Sequence, residues 1–334
     1  MTEPAVDSDR VGAHREPIAE PAPIVSVIVP VYNQGAYVAG AIASVLEQRY
    51  SPVELIVIND GSTDGTADRL KAYEHKARII HQENRGAAAA LNRGIRESRG
   101  SLVCWLSADD EFLPGKLEAQ VAAFESDSQI GMVHTGYERV DGNGAHLDTV
   151  IEPPQVHPDP FITVYWKNSL NGSTVMLRRD VFDAVGGFDE SLRADVDADM
   201  WLKIIRRWEV RIVRGVYVRY RVHQNSLSAN TSLMVSTMEE VRRRNLPELL
   251  RRAGTGGTAA ALLARISGDT AEQGLFIVAH RLRRASLQAG LAPREQIRSL
   301  AAEVLARLRS RPSTNRLGGA ILATWRALRR RSHR

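Results

Sequence analysis

The sequence predicts an α/β protein built around a mostly parallel sheet, and three observations carry that expectation. Short β-branched runs alternate with segments of helical apolar spacing across residues 24–106. The runs are mostly apolar, as strands covered by helices on both faces are. Polar residues gather where three of these runs end, the edge at which open α/β sheets hold ligands.

Each element follows in order. Ile24–Val31 reads as the first strand, and Val38, Ile42, Val45 and Leu46 mark one face of the next helix. A Tyr50-Ser51-Pro52 turn leads into a second strand, Val53–Ile58, followed by a Gly/Ser/Thr/Asp loop and a helix through Ala67–Tyr73. Ala77–His81 reads as a third strand, Ala87–Glu97 as a helix and Leu102–Leu106 as a fourth strand. Connections between such parallel strands are right-handed.

Beyond Pro114 the alternation loosens. Met132–Tyr137 and Ser173–Leu177 read as strands, Met200–Trp208 as a helix with Trp201, Ile204, Ile205 and Trp208 on one face, and Arg211–Tyr220 as an edge strand. From about Ser236 the chain reads as helix, rich in Ala and Arg, with a break at Gly254–Thr258. The predicted organisation is a disordered leader over 1–23, an α/β domain over 24–234 and a helical Arg-rich region over 235–334.

Hydrophobic residues make up 43% of the 334 and charged residues 25%, the balance of a soluble globular chain. A single cysteine, Cys104, excludes an intrachain disulfide and fits a reducing compartment. No run of about 18 apolar residues predicts a membrane span. The acidic, proline-rich start lacks the pattern of a secretory signal, so a cytoplasmic location is expected.

The net charge of +5 hides an asymmetry: residues 235–334 hold 20 Arg and 7 acidic residues, leaving −8 on residues 1–234. That acidic body, without a recognisable motif beside the arginines, speaks against nucleic-acid binding. Ile321, Leu322, Trp325 and Leu328 share a helical face flanked by Arg326, Arg329, Arg330 and Arg331. Such a helix suits the anionic inner face of a membrane and a lipid-linked acceptor; a solvated basic cap on the α/β domain is the plainer alternative.

The first strand ends in Pro30-Val31-Tyr32-Asn33, the second in Asn59-Asp60-Gly61-Ser62-Thr63-Asp64-Gly65, the fourth in Ser107-Ala108-Asp109-Asp110. Neither a G-x-G-x-x-G turn nor a glycine-lysine phosphate loop is present. Carboxylates repel phosphate, but Mg²⁺ or Mn²⁺ bridges the two, since both cations favour carboxylate and phosphate oxygens.

These three stretches, with Asn84-Arg85-Gly86, Asn92-Arg93-Gly94, Gly186-Gly187-Phe188-Asp189-Glu190, Asp197-Ala198-Asp199-Met200-Trp201-Leu202 and Tyr220-Arg221-Val222-His223, come in the order of the family 2 glycosyltransferases. The chain resembles that family from about Ile24 to Ser228. The resemblance implies a GT-A fold and metal-dependent, inverting transfer from a UDP- or dTDP-sugar to a hydroxyl of a glycan or lipid-linked acceptor, in cell-surface glycan synthesis. It places Pro30, Tyr32, Asn33, Asp60, Asn84, Arg85, Ser107 and Ala108 at the donor nucleotide, with Asp60 accepting a hydrogen bond from the base. Asp109 matches the metal-binding aspartate, with Asp110 and His223 as further candidate ligands. Asp197 matches the general base, with Asp199 and Asp195 as rivals, and Asn171, Gly172 and Ser173 fall where the family shapes its acceptor pocket.

Two positions depart from the family pattern: Ser107 replaces the first aspartate of Asp-x-Asp, and Leu91 stands where many members carry arginine. Local roles compete with these assignments. Asp64 is expected to cap the helix after it, Asp109-Asp110 can close a turn, and Asp197 can serve as an N-cap. Trp105, Trp201 and Trp208 read as core. A nucleotidyltransferase is disfavoured because no basic loop follows the first strand. A non-catalytic sugar-nucleotide binder would have no use for Asp197.

Overall fold

The computed structural model describes residues 22–168, 170–273 and 276–288. Most of the predicted leader and the basic stretch at 321–334 lie outside those residues. Within them, nine strands form one sheet in the spatial order Arg78–Gln82, Val53–Asp60, Val25–Val31, Leu102–Trp105, Met176–Arg178, Ile130–Asp141, Glu209–Val222 and Glu111–Phe112, with His146–Val150 paired to Ile130–Asp141.

The parallel half follows the spacing of the sequence. β1 (Val25–Val31) pairs with β2 (Val53–Asp60) from Val25↔Val53 to Val31↔Asn59 and with β4 (Leu102–Trp105) from Val25↔Leu102 to Ile28↔Trp105. β3 (Arg78–Gln82) lies on the outer side of β2. Successive side chains of β1 alternate between two cores. Val25, Val27, Val29 and Val31 join Val38, Ala41, Ile42 and Val45 of α1 (Val38–Leu46), whereas Ile28 joins α3 (Ala87–Glu97) on the other face. Helix α2 (Thr66–Leu70) is shorter than predicted and continues as a 3₁₀ turn through Lys71–Tyr73.

The second half is mixed. The two-residue strand β5 (Glu111–Phe112) and helix α4 (Lys116–Glu125) precede the long β6 (Ile130–Asp141), whose hairpin partner is β7 (His146–Val150). After α5 (Pro160–Trp166) a single 3₁₀ turn at Gly172–Thr174 takes the front of the predicted Ser173–Leu177 strand, and only β8 (Met176–Arg178) is extended. β8 runs antiparallel to both β4 and β6, and α6 (Arg179–Val185) follows it.

Two expectations are corrected. The Arg211–Tyr220 segment is an edge strand only in part: it belongs to β9 (Glu209–Val222), which pairs with β6 in parallel from Ile130↔Glu209 to Asp141↔Val222 and on its other side meets the two-residue β5 at Val218 and Arg219. Its charged side chains suggested an edge, but Arg219 bridges Glu111 and Glu138 on the two neighbouring strands at 2.8 Å each. The helix predicted at Met200–Trp208 is α7 (Val196–Ile204). It starts earlier because the carboxylates of the segment occupy its favourable first turn. Trp208 therefore sits beyond the helix, against Gly131, where any side chain would collide with the indole.

Asn230 caps α8 (Thr231–Ala253) by accepting from Leu233 N, so that helix starts five residues before the predicted onset, and position 234 lies inside it. α9 (Gly257–Glu272) and α10 (Phe276–Gln288) follow the Gly-rich break. Leu246, Leu249, Leu263, Ile266 and Leu282 share one hydrophobic core with Trp105 and Trp201 of the α/β unit. Among the described residues, no helix is long and apolar enough to cross a membrane.

Candidate functional site

The loops that leave β1 and β2 are stitched together by short polar side chains. Asn33 N donates to Ser62 Oγ at 3.0 Å, and Thr63 N donates to Asn33 Oδ1 at 2.7 Å. Asp64 accepts from Thr66 Oγ1 at 2.5 Å, Gly35 N at 3.1 Å and Thr66 N at 3.0 Å, and these bonds outweigh desolvation to hold its carboxyl below the usual carboxylate range. The formal N-cap of α2 is Gly65, so Asp64 ties the loops rather than capping alone. Asn33 adopts φ 52°, a left-handed conformation that asparagine tolerates. Tyr32 beside it is 48% exposed, leaving its ring free to meet a ligand.

Asp60 closes the next loop. Its Oδ1 accepts from Gln82 Nε2 at 2.7 Å and Arg85 N at 2.9 Å, and its Oδ2 accepts from Gly86 N at 2.8 Å. The buried carboxylate thus anchors the Asn84-Arg85-Gly86 turn, and Oδ2 retains room for one further donor. Asn84 and Arg85 are exposed; the Arg85 guanidinium pairs with Glu190 at 3.0 Å. Gly61, at φ 74°, lets Asn84 N approach to where a Cβ would stand 2.8 Å away.

At the end of β4, Ser107 N donates to Ser173 Oγ at 3.1 Å, and Ala108 is buried. The neighbouring aspartates then diverge. Asp109 Oδ2 lies 3.0 Å from His223 Nε2. Asp110 is fully buried: its Oδ2 accepts from Ser173 Oγ at 2.6 Å and its Oδ1 from Arg221 N at 3.0 Å. Desolvation, then the Asp109 charge, pushes the Asp110 carboxyl well above its usual range. Each of its oxygens has one protein donor, so Asp110 ties the 172–174 turn to β9.

Asp109 Oδ2 and His223 Nε2 are hydrogen-bonded to each other, and their separation also suits two adjacent ligands of a divalent cation. Two ligands bound side by side at about 2.1 Å from an octahedral ion stand about 3.0 Å apart, the separation of these two atoms. Among the described residues no group of three or more His, Cys, Asp or Glu forms a cation cage. A pair leaves most positions for phosphate and water, the usual arrangement for Mg²⁺.

The three acidic candidates of the 195–199 segment take separate places. Asp195 is the N-cap residue of α7, at φ 49°, and accepts from Asn168 Nδ2 at 3.3 Å. Asp199 is buried and pairs with Lys203 one turn later at 2.6 Å, a structural ion pair. Asp197 lies in the first turn, half-buried, with Oδ1 accepting from Ala198 N at 2.8 Å. Burial pushes Asp197 up to about 6; burial and the Asp197 charge push Asp195 up to about 7. The N-cap alternative for Asp197 is therefore corrected, since Asp195 holds that position.

Helix α7 is set by its tryptophan. Trp201 is fully buried and stacks on Trp105 of β4, with ring centroids 5.4 Å apart and planes inclined by 14°. The same strand therefore leads to Asp109 and backs the helix that carries Asp197. Trp105 also lies against Gly172, where an added Cβ would meet the indole nitrogen at 2.7 Å. Asn171 accepts from Ser173 N at 2.8 Å, shaping the turn expected at an acceptor pocket.

The sequence reading assigned no role to Arg221, Asn168 or Glu190. Arg221 lies in the stretch before His223; besides the Glu111 carboxylate its partners are main-chain oxygens, which no residue pattern announces.

Comparisons with known proteins bear on the family and the fold. The family profile described as "Glycosyl transferase family 2" matches residues 26–186. An uncharacterized glycosyltransferase of Rickettsia typhi is 35% identical over 217 residues, covering 64% of this chain and 68% of that protein. A putative teichuronic acid biosynthesis glycosyltransferase, TuaG of Bacillus subtilis, is 32% identical over 216 residues, covering 62% and 82%. A longer glycosyltransferase of Rickettsia felis is 34% identical, and the matched stretch spans 36% of it. Among solved structures, the mannosyltransferase PcManGT of Pyrobaculum calidifontis, in complex with GDP-Man and Mn²⁺, superposes with a TM-score of 0.55 at 21% identity, covering 92% of this chain and 81% of that one. At that identity the likeness establishes the GT-A-like fold alone.

Proposed function

The chain belongs to glycosyl transferase family 2, and on that premise we propose that it is an inverting, metal-dependent enzyme moving a sugar from a nucleotide-diphosphate donor to an acceptor hydroxyl. The observation that carries this reading is the Asp109–His223 pair beside β4, the strand whose Trp105 backs the Asp197 helix. A bound Mg²⁺ or Mn²⁺ would neutralise charge on the departing diphosphate.

The residues of the chain do the rest. Tyr32 offers an exposed ring to the base, and Asp60 keeps one acceptor position beside the 84–86 turn. The acceptor oxygen attacks the anomeric carbon while the bond from that carbon to the diphosphate breaks, so one displacement inverts the configuration. Asp197 takes the acceptor's proton. Its raised proton affinity suits that duty, because a base works best with a pKa near the operating pH.

UDP or dTDP is our choice of donor carrier and a cell-surface glycan our choice of product; TuaG's name places that relative in teichuronic acid synthesis. The expected boundary at 234/235 falls inside α8, so the catalytic unit is proposed to include the described helices α8 to α10 that share its core, and the stretch 321–334 to touch anionic lipid on the cytoplasmic side. Flotation with anionic liposomes tests the last point: a chain ending near Ser310 should lose the bound fraction, and equal partitioning removes the idea.

Thermal-shift screening of nucleoside diphosphates and nucleotide sugars, with Mn²⁺ or with a chelator, tests the central reading. Stabilisation by one base should require the cation, amounting to about 2.7 kcal/mol at a hundredfold excess over Kd. Chelation should also abolish turnover. A protein that no nucleotide stabilises under either condition would overturn the assignment.

A further inference from the structure

Arg221 is buried, one residue from the end of β9, and every nitrogen of its guanidinium is engaged. Nε donates to Asp109 O at 3.0 Å. Nη1 donates to Asp141 O at 3.3 Å and Gly142 O at 3.5 Å, and Nη2 to Glu111 Oε1 at 3.1 Å. Its backbone N donates to Asp110 Oδ1 at 3.0 Å. The guanidinium also stands 5.0 Å from the Tyr37 ring, and that ring packs 4.9 Å from the imidazole of His223.

One planar cation thereby fixes three things at once. It holds the main chain of Asp109, the turn at Asp141-Gly142, and, through Tyr37, the ring of His223. Gly142 is part of the same enclosure: a Cβ there would lie 3.5 Å from His223 Cβ and 3.5 Å from Tyr37 Oη. Arg221 shares the tying of β5, β9 and β6 with Arg219, which bridges Glu111 and Glu138, but its reach extends past the strands. The three carbonyl acceptors of Arg221 lie at positions 109, 141 and 142, two of them outside any strand. A rigid fork of five donors suits such divergent acceptors; an ammonium group cannot span them.

We propose that Arg221 is the positioning residue of the Asp109–His223 pair, setting the separation of the two ligand atoms before a cation arrives. The inference rests on the reading of that pair as the cation site. Arg221 contributes no ligand atom, and four of its five guanidinium N–H donors are engaged within the protein. Residues that orient ligands from behind typically change metal affinity by about 10–100-fold.

The test uses the full chain and Mn²⁺ itself. Electron paramagnetic resonance titration of free Mn²⁺, alone and with UDP, gives Kd for the wild type, Arg221→Lys, Arg221→Met and Tyr37→Leu. Pulsed spectra report the nitrogen coupling from His223, and cation-free melting curves report folding. Folded Arg221→Lys protein should bind Mn²⁺ about 10–100-fold more weakly, with the nitrogen coupling diminished, and Tyr37→Leu should shift in the same direction. Wild-type Kd and coupling in folded Arg221→Lys overturn the inference. If both Arg221 variants fail to fold, Tyr37→Leu decides, and an unchanged Kd there overturns it. A wild type that binds no Mn²⁺ in either condition sinks the cation-site reading itself, which is a separate failure.

Discussion

Asp109 and His223 stand 114 residues apart in the chain and 3.0 Å apart in space, whereas Asp110, next to Asp109, bonds to entirely different partners. Adjacent aspartates thus carry separate duties. Asp109→Asn is expected to remove most Mn²⁺-dependent donor binding and leave the melting temperature nearly unchanged. Asp110→Ala is expected to cost stability, about 1–3 kcal/mol for each buried donor left without a partner. Denaturant titration beside calorimetric Mn²⁺ binding separates them. Equal loss of metal affinity and equal stability in the two variants would contradict the division.

Asp197→Asn keeps the shape of the side chain and its acceptor for Ala198 N while removing the basic oxygen. Turnover is expected to fall by about 10²–10⁴-fold, with donor Kd within a factor of about two. Asp199→Asn should instead lower the melting temperature by breaking its pair with Lys203. Full activity in Asp197→Asn would move the base to Asp195 or Asp199.

Acid should inhibit earlier than an ordinary aspartate allows. A solvated aspartate titrates near 3.9, and burial pushes Asp197 up to about 6. The base acts ionised, so activity is present above that value and lost as pH falls through about 6. Stability runs the opposite way: the folded chain binds this proton more tightly than the unfolded chain, so native stability declines as pH rises from about 4 to about 6. A kcat/KM profile checks the first and unfolding midpoints across pH the second. An acid limb centred near pH 4 would refute the buried-base assignment.

Asp60 holds the 84–86 turn with three hydrogen bonds. Asp60→Ala should therefore destabilise the fold by about 2–4 kcal/mol, since bonds to a charged group are worth about 1.5–3 kcal/mol each and part is recovered from water. Hydrogen exchange should accelerate at Arg85 and Gly86 in particular. A loss of nucleotide affinity with unchanged exchange would mean that Asp60 serves the ligand alone.

The parallel half of the sheet was legible because strands buried on both faces and helices with one apolar face leave distinct periods. Ala87–Glu97 folds with the bounds its spacing predicts. The mixed half was less so. The placement of β9 between β6 and β5 depends on Arg219 finding Glu111 and Glu138, partners 108 and 81 residues away. In the site, the polar strand ends were readable as a group. The roles of Arg221 and of Asp110 were not, because most of their partners are main-chain or hydroxyl groups supplied by distant segments.

The polar stitches between the Asn33 and Ser62–Asp64 loops have a kinetic consequence. Their main-chain amides are already oriented by Asn33 Oδ1, Ser62 Oγ and Asp64 Oδ2, so their disorder is removed when the chain folds rather than when a ligand arrives. A visiting molecule meets a stiff socket. Its capture rate should then follow diffusion and orientation, with little waiting for the walls to assemble.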